Sequence, residues 1–146
     1  MSQPPKNVHP AVARSLDLWH RMIAHNDLGE LHTIVHPDAV FRSPMAISAY
    51  TSAPALILAL STVIQVFEDF EYHRQLASDD GLDVVLEFSA RIGDKKLKGI
   101  DLIRFDDQGQ IVEFEVMVRP MSGLQALGGE MGKRLADKLP AFKEKA

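Results

Sequence analysis

Cysteine is absent from the sequence. Disulfide scaffolds, cysteine nucleophiles and thiolate metal sites are excluded at the outset. Long apolar runs are missing too: the longest mostly apolar stretch, Ala53 to Phe67, is interrupted by Ser61, Thr62 and Gln65 and falls short of the roughly 20 residues a bilayer-spanning helix needs. It reads as a core helix. Basic charge is not in surplus. The formal net charge is -4 and Lys and Arg are scattered among the acids, whereas a nucleic-acid surface gathers them on one face. No phosphate-cradling glycine loop, nucleophile elbow or dinucleotide fingerprint occurs. The opening Met-Ser-Gln-Pro-Pro-Lys-Asn lacks the apolar core of a signal peptide. The expected location is therefore cytoplasmic, with neither nucleic acid nor membrane as partner.

What remains is ordinary globular material, 146 residues of which 46% are hydrophobic and 25% charged, enough for one core. A polar, proline-containing arm is expected over 1–9, one domain over 10–139 and a tail over 140–146. After Pro10, Val12, Leu16, Trp19 and Ile23 recur at helical spacing. A second helix is predicted from Asp27, with Glu30 as its capping partner, Leu28, Leu31 and Val35 facing inward and Pro37 as its stop. The two would form a helical hairpin. Ala39 to Ser43 reads as a short strand with Phe41 and Ser43 on one face, and a third helix follows with Pro54 in its first turn and Leu56, Leu60, Val63 and Phe67 along one side.

Beyond Phe67 the pattern turns to strands. Phe70 to Ala77 is β-rich but alternates weakly. From Asp83 to Ile92, Val84, Leu86, Phe88 and Ala90 alternate cleanly with Val85, Glu87, Ser89 and Arg91. Gly93-Asp94 and Asp107-Gln108-Gly109 mark turns that make an antiparallel meander of this strand with Lys95 to Asp106 and Gln110 to Arg119. A last helix, capped by Ser122, carries Leu124, Leu127, Met131 and Leu135 inward and is weakened by Gly128, Gly129 and Gly132. Helices followed by strands predict an α+β fold in which a curved antiparallel sheet wraps N-terminal helices as a cone with an internal pocket.

One strand concentrates the chemistry. Leu97, Gly99, Asp101, Ile103 and Phe105 share a face, while Lys96, Lys98 and Arg104 mark the opposite face as outer. Asp101 is thus the one ionisable group on an apolar inner face. Desolvation there would raise its pKa and keep it neutral near pH 7, which makes it a candidate acid or hydrogen-bond donor. A structural Asp bonded to backbone is the alternative. Trp19, Phe41, Ser43, Leu60, Leu86, Phe88, Phe114, Val116 and Val118 are the expected pocket wall. His32 and His36 are four apart, but Pro37 adjoins the second and no zinc-motif Glu accompanies them, so neither metal nor cofactor is expected. Arg42 points away from Ser43 by strand alternation.

The stretches His36-Pro-Asp-Ala-Val-Phe-Arg-Ser-Pro44 and Lys98-Gly-Ile-Asp-Leu-Ile-Arg-Phe105 through Val118 resemble the SnoaL-like branch of the nuclear transport factor 2-like superfamily, which also contains ketosteroid isomerase. The resemblance runs from Val8 to Leu139 and implies the cone fold, often paired with a second copy through its outer sheet face. It implies that the isomerases' oxyanion-binding acid falls on Asp101. It also implies that their general base falls on Ser43 and their oxyanion Tyr on Trp19, neither of which can do the original work. The acid of SnoaL-like cyclases and that of limonene epoxide hydrolases both fall on Val116, with Phe114 at the cyclase His. The expected function is binding of a small, mostly apolar, polyketide- or steroid-like molecule, with isomerase, cyclase or hydrolase chemistry through Asp101. The alternative is a noncatalytic ligand-binding or dimerisation domain. Ile100, Leu102, Val112 and Met117 together on the outer face favour a homodimer.

Overall fold

The computed structural model describes residues 5–139. Helix α1 spans Pro10–Ala24 and buries Val12, Leu16, Trp19 and Met22. Proline occupies its first turn, and the His9 ring accepts a hydrogen bond from the Ala11 N–H, one of the donors a helix start leaves unpaired. The part of the expected arm that is described is tied down. Asn7 donates through its side chain to the carbonyls of Ala77 and Ser78, and the His9 N–H donates to the Gly81 carbonyl. The tail over 140–146 lies outside the described residues.

The second predicted helix does not form. Asp27 accepts from the Gly29 N–H in a local turn, a single 3-10 turn covers Leu31–Ile34, and the chain is already extended at Val35. Strand β1, Val35–Arg42, follows at once and contains Pro37. The helical spacing of Leu28, Leu31 and Val35 arises from a buried turn running into a strand. Pro37 is tolerated because β1 is an edge strand, where a missing N–H costs no interior ladder bond.

Helix α2, Ala53–Val66, is capped by the Ser52 hydroxyl, which accepts from the Ala55 N–H at 3.2 Å. Then come β2 (Glu68–Ala77), β3 (Asp83–Ile92), β4 (Lys95–Phe105) and β5 (Ile111–Arg119), and finally α3, Met121–Leu135. The five strands lie in the order β1-β5-β4-β3-β2, antiparallel throughout the meander. One pairing departs from expectation: β1 runs parallel to β5, so the sheet is mixed. The parallel pairing follows from topology, since β1 and β5 are joined through the whole of the intervening fold and no hairpin constrains them. Ser122 caps nothing; α3 starts directly after Pro120 without a side-chain cap.

The sheet's concave face and the three helices enclose one large core, with a smaller cluster of Phe88, Ala90 and Leu97 beside it. The outer face is laced by cross-strand ion pairs. Glu87 is bonded by Arg74 at 2.6 Å and Lys98 at 3.1 Å, Asp83 by Arg104 at 3.3 Å and Glu113 by Arg42 at 2.7 Å. The Arg74 guanidinium and its backbone N–H, the strongest influences, hold the Glu87 carboxyl well below the usual range.

Glycines set two close approaches that shape the interior. At Gly99 a Cβ would lie 2.6 Å from the Phe88 ring and collide with the Met117 carbonyl, and at Gly123 it would meet the Leu97 Cβ at 2.7 Å. Gly129, in contrast, has nothing within 4 Å of that position. Gly129→Ala is expected to stabilise the protein by about 0.5–1 kcal/mol through helix propensity. Gly99→Ala is expected to cost about 1–3 kcal/mol, because a backbone carbonyl cannot yield as a side chain does. Urea denaturation of the two variants should therefore move the midpoint in opposite directions.

Candidate functional site

Three elements meet at one polar point inside the cone. Asp101 leaves the middle of β4 toward the helices and is 6% exposed. Tyr72 leaves β2 on the same side, and its hydroxyl donates to Asp101 Oδ2 at 2.6 Å. Trp19 of α1 donates its indole N–H to the Tyr72 oxygen at 2.9 Å. Tyr72 and Asp101 are not on neighbouring strands. Tyr72 is paired with Phe88 of β3 and Asp101 with Leu86, so the tyrosine reaches across β3, roughly 10 Å at two strand spacings.

The order of donors in this chain is fixed by its first member. An indole N–H can only donate, so the Tyr72 oxygen accepts from Trp19 and its one hydrogen is left for Asp101. Every fully buried polar side-chain atom among the described residues has a partner. Tyr72 holds one carboxyl oxygen of Asp101, and the other opens on the cavity that Asp101 lines. Burial pushes the Asp101 carboxyl up to about 7, against a smaller opposing pull from the Tyr72 hydrogen bond. Burial, then the neighbouring Asp101, drive the Tyr72 hydroxyl well above its ordinary value. His20 meets the Tyr72 ring edge-on at 5.3 Å and bonds the Gln75 amide oxygen; burial lowers its pKa.

Around this point the cavity is apolar. Trp19 and Ile23 come from α1, Leu60, Val63 and Ile64 from α2, Phe70 and Tyr72 from β2, Val116 from β5 and Leu127 and Met131 from α3, with Pro44 and Phe67 closing gaps. The space free of atoms is about 470 Å³ with its mouth included. It is a narrow slot. Ile23, Ile64, Phe67 and Phe70 also line a second, smaller cavity with Asn26, which adjoins the slot at the C-terminal ends of α1 and α2.

Of the residues expected in the wall, Trp19, Leu60 and Val116 line this slot together with Asp101. Phe41, Leu86 and Phe114 are packed in the main core and Phe88 in the smaller cluster, with Phe114 against the Trp19 ring at 5.5 Å. Ser43 and Val118 line an adjoining surface groove with Met45 and Leu124, which shares Pro44 and Val116 with the slot. The Ser43 hydroxyl accepts from the Met45 N–H at 2.8 Å. Tyr72 is the functional side chain that sequence reasoning missed. Its signal was present but blurred: Phe70 and Tyr72 alternate inward, yet β2 is irregular between Glu68 and Glu71 and again between Tyr72 and Gln75. Asp69 there adopts a left-handed backbone, φ 53°. Among the described residues no three His, Asp or Glu are grouped to hold a metal ion, and no helix is long and apolar enough to cross a membrane.

The SnoaL-like domain family matches residues 14–114. A steroid delta-isomerase from Pseudomonas aeruginosa superposes with a TM-score of 0.88 at 62% identity, over 94% of this chain and 99% of that one. An uncharacterised protein with a cystatin-like fold from Silicibacter pomeroyi gives a TM-score of 0.78 at 30% identity, over 91% and 90%. SalBIII, an epoxide hydrolase/cyclase-like enzyme with a role in pyran-ring formation in salinomycin, gives 0.61 at 14% identity, over 76% and 92%, a likeness of fold. No curated protein matches the chain.

Folding lifts the Asp101 pKa from 3.8 to about 7, so between those values the folded chain keeps a proton that the unfolded chain has released. The contribution of Asp101 to stability is fully favourable at low pH and is lost as pH rises through that window, by on the order of 4 kcal/mol. Asp101→Asn should flatten this fall and leave the variant more stable than wild type at pH above 7. Urea midpoints measured across pH, with a carboxyl carbon NMR titration of Asp101 centred near 7, check it. An identical pH profile in the variant would remove the assignment.

Proposed function

The chain belongs to the SnoaL-like domain family, and from that premise we propose that its cavity binds a flat, mostly apolar ketone or phenol through Asp101 and isomerises it. The observation that carries this reading is a buried carboxyl in an apolar slot whose pKa desolvation raises to about 7, so that its neutral form is well populated at neutral pH, with no cation paired to it among the described residues. A neutral carboxylic acid donates a hydrogen bond to a carbonyl or phenolate oxygen, and in such surroundings that bond is far stronger than in water. The name of the 62% identical relative, a steroid delta-isomerase, supports a rigid ring system bearing oxygen as the ligand class.

Binding of β-naphthol, followed by its fluorescence, tests this. Wild type is expected to bind, Asp101→Asn to stay within a few-fold because an amide still donates, and Asp101→Leu to weaken binding by about 10-fold or more, the worth of one charge-assisted hydrogen bond. Equal affinity in wild type and Asp101→Leu would show that the ligand oxygen is held elsewhere.

The outer sheet face is proposed to pair with a second copy of the chain. Met117 is 43% exposed there, with Ile100 and Leu102 half-buried beside it and ion-paired residues on neighbouring strands that would rim an interface of about 1,200–2,000 Å². Light scattering should give a dimer for wild type and a monomer for Leu102→Glu; a wild-type monomer at micromolar concentration would sink the idea.

A further inference from the structure

An isomerisation moves a proton from one carbon to another, and something must carry it. Ser43 lies outside the slot lining with its oxygen engaged by the Met45 N–H, and a hydroxyl has no basic form near neutrality. Val116 brings no acid. Among the described residues lining the slot, those with a titratable side chain are Asp101 and Tyr72. The residues contributed by α1, α2, β5 and α3, such as Ile23, Leu60, Val116 and Met131, are apolar apart from the Trp19 indole. His20, the nearest other titratable group known from its contacts, meets the Tyr72 ring and bonds Gln75 rather than Asp101.

Resting on the reading of the slot as an isomerase site, we propose that Asp101 is its single proton carrier. As a carboxylate it removes a proton from the carbon beside the substrate carbonyl; as the acid so formed it holds the enolate oxygen, its O–H exchanging with solvent through the mouth of the slot, and then delivers a proton from the same oxygen to another carbon of the conjugated system.

The electrons balance without an added reactant. In the first half the C–H pair becomes a C=C bond, the C=O π pair moves to oxygen, and a carboxyl O–H forms on Asp101. In the second half that O–H breaks, a C–H bond forms at the far carbon, the carbonyl is restored and the carboxylate returns. One negative charge is present at every stage, first on Asp101 and then on the enolate.

The geometry supplies the rest of the device. Since Trp19 fixes the direction of the Tyr72 hydroxyl, that hydroxyl donates to Oδ2 whether Asp101 is charged or neutral. The reacting proton is thereby confined to Oδ1, the oxygen that opens on the slot. Tyr72 is a positioning residue in this scheme. A carboxyl titrating near 7 populates both forms at neutral pH, the condition under which one group serves as base and then acid.

Deuterium entry into β-tetralone, an enolisable bicyclic ketone, read by proton NMR in heavy water beside β-naphthol binding, tests the proposal. Wild type should accelerate exchange, with a rate that rises with pH and levels off above about 7. Asp101→Asn should bind β-naphthol nearly as wild type does yet lose exchange by about 10²-fold or more. Tyr72→Phe should keep exchange with its pH midpoint moved upward, because the bond that favours the carboxylate is gone; an unmoved midpoint counts against the proposal even where Asp101→Asn does not fold. Exchange retained in Asp101→Asn would place the base elsewhere. Wild type that binds β-naphthol without accelerating exchange would overturn the proton-carrier role and leave the binding reading standing, and wild type that does neither would overturn both.

Discussion

The hydrogen bond from Tyr72 to Asp101 is the constraint on which the interior depends. A carboxyl sealed among Leu60, Val116, Leu127 and Met131 has lost its water, and an unsatisfied polar group in that position costs as much as a sizeable fraction of a domain's whole stability. The tyrosine offsets part of that loss and in turn needs a donor for its own oxygen, which the Trp19 indole supplies. Three elements far apart in sequence, α1, β2 and β4, are fastened at one atom-wide junction. The strand between them places Phe88 opposite Tyr72 and Leu86 opposite Asp101, both buried and apolar, so neither competes for the bond. Gly99 makes the arrangement possible, since any larger residue would strike the Phe88 ring.

Much of this was legible because strands carry their environment in alternate residues. Lys96, Lys98 and Arg104 reveal the outer face of β4, and Asp101 then stands out on the inner face without any structural knowledge. The boundaries of β3 could be read for the same reason, as Val84, Leu86, Phe88 and Ala90 are all buried. Periodicity failed where the backbone departs from regular geometry. In β2 an extra residue at each of two irregularities shifts the inward set, so Tyr72 could not be assigned a face. Between Leu28 and Val35 the spacing of apolar residues fits a helix, but it is produced by a turn and a strand that both lie against the core. Pattern alone cannot distinguish these, because both bury the same side chains. The pairing of β1 with β5 depends on contacts distant in sequence and left no local trace.

The same limit applied to the pocket wall. Alternation identifies inward residues but does not separate those that touch each other from those that touch empty space. Phe41, Leu86, Phe88 and Phe114 point inward and are consumed by packing. Leu60 and Val116 point inward and face the slot. Which inward residues face the slot is decided by how far the helices stand off the sheet, and that distance is set by side-chain volumes on both sides at once. Ser43 shows the converse case, a buried residue whose hydroxyl is drawn into its own loop by the Met45 N–H.

The positions where this chain departs from the catalytic sets that the resemblance implies have an electrostatic consequence. A carboxylate at Val116 would place a like charge in the same apolar slot and drive the Asp101 pKa further up, so that one of the two acids would stay protonated throughout the neutral range. A cation there would do the opposite and hold Asp101 ionised. With an apolar residue at Val116 and the Ser43 hydroxyl engaged by the Met45 N–H, the balance is left to desolvation, which raises the pKa, and the Tyr72 hydrogen bond, which restrains the rise. Together these bring the carboxyl to about 7. The absence of a second acid is therefore part of what sets the pKa of the remaining one, and the tyrosine reaching over β3 is what restrains its rise.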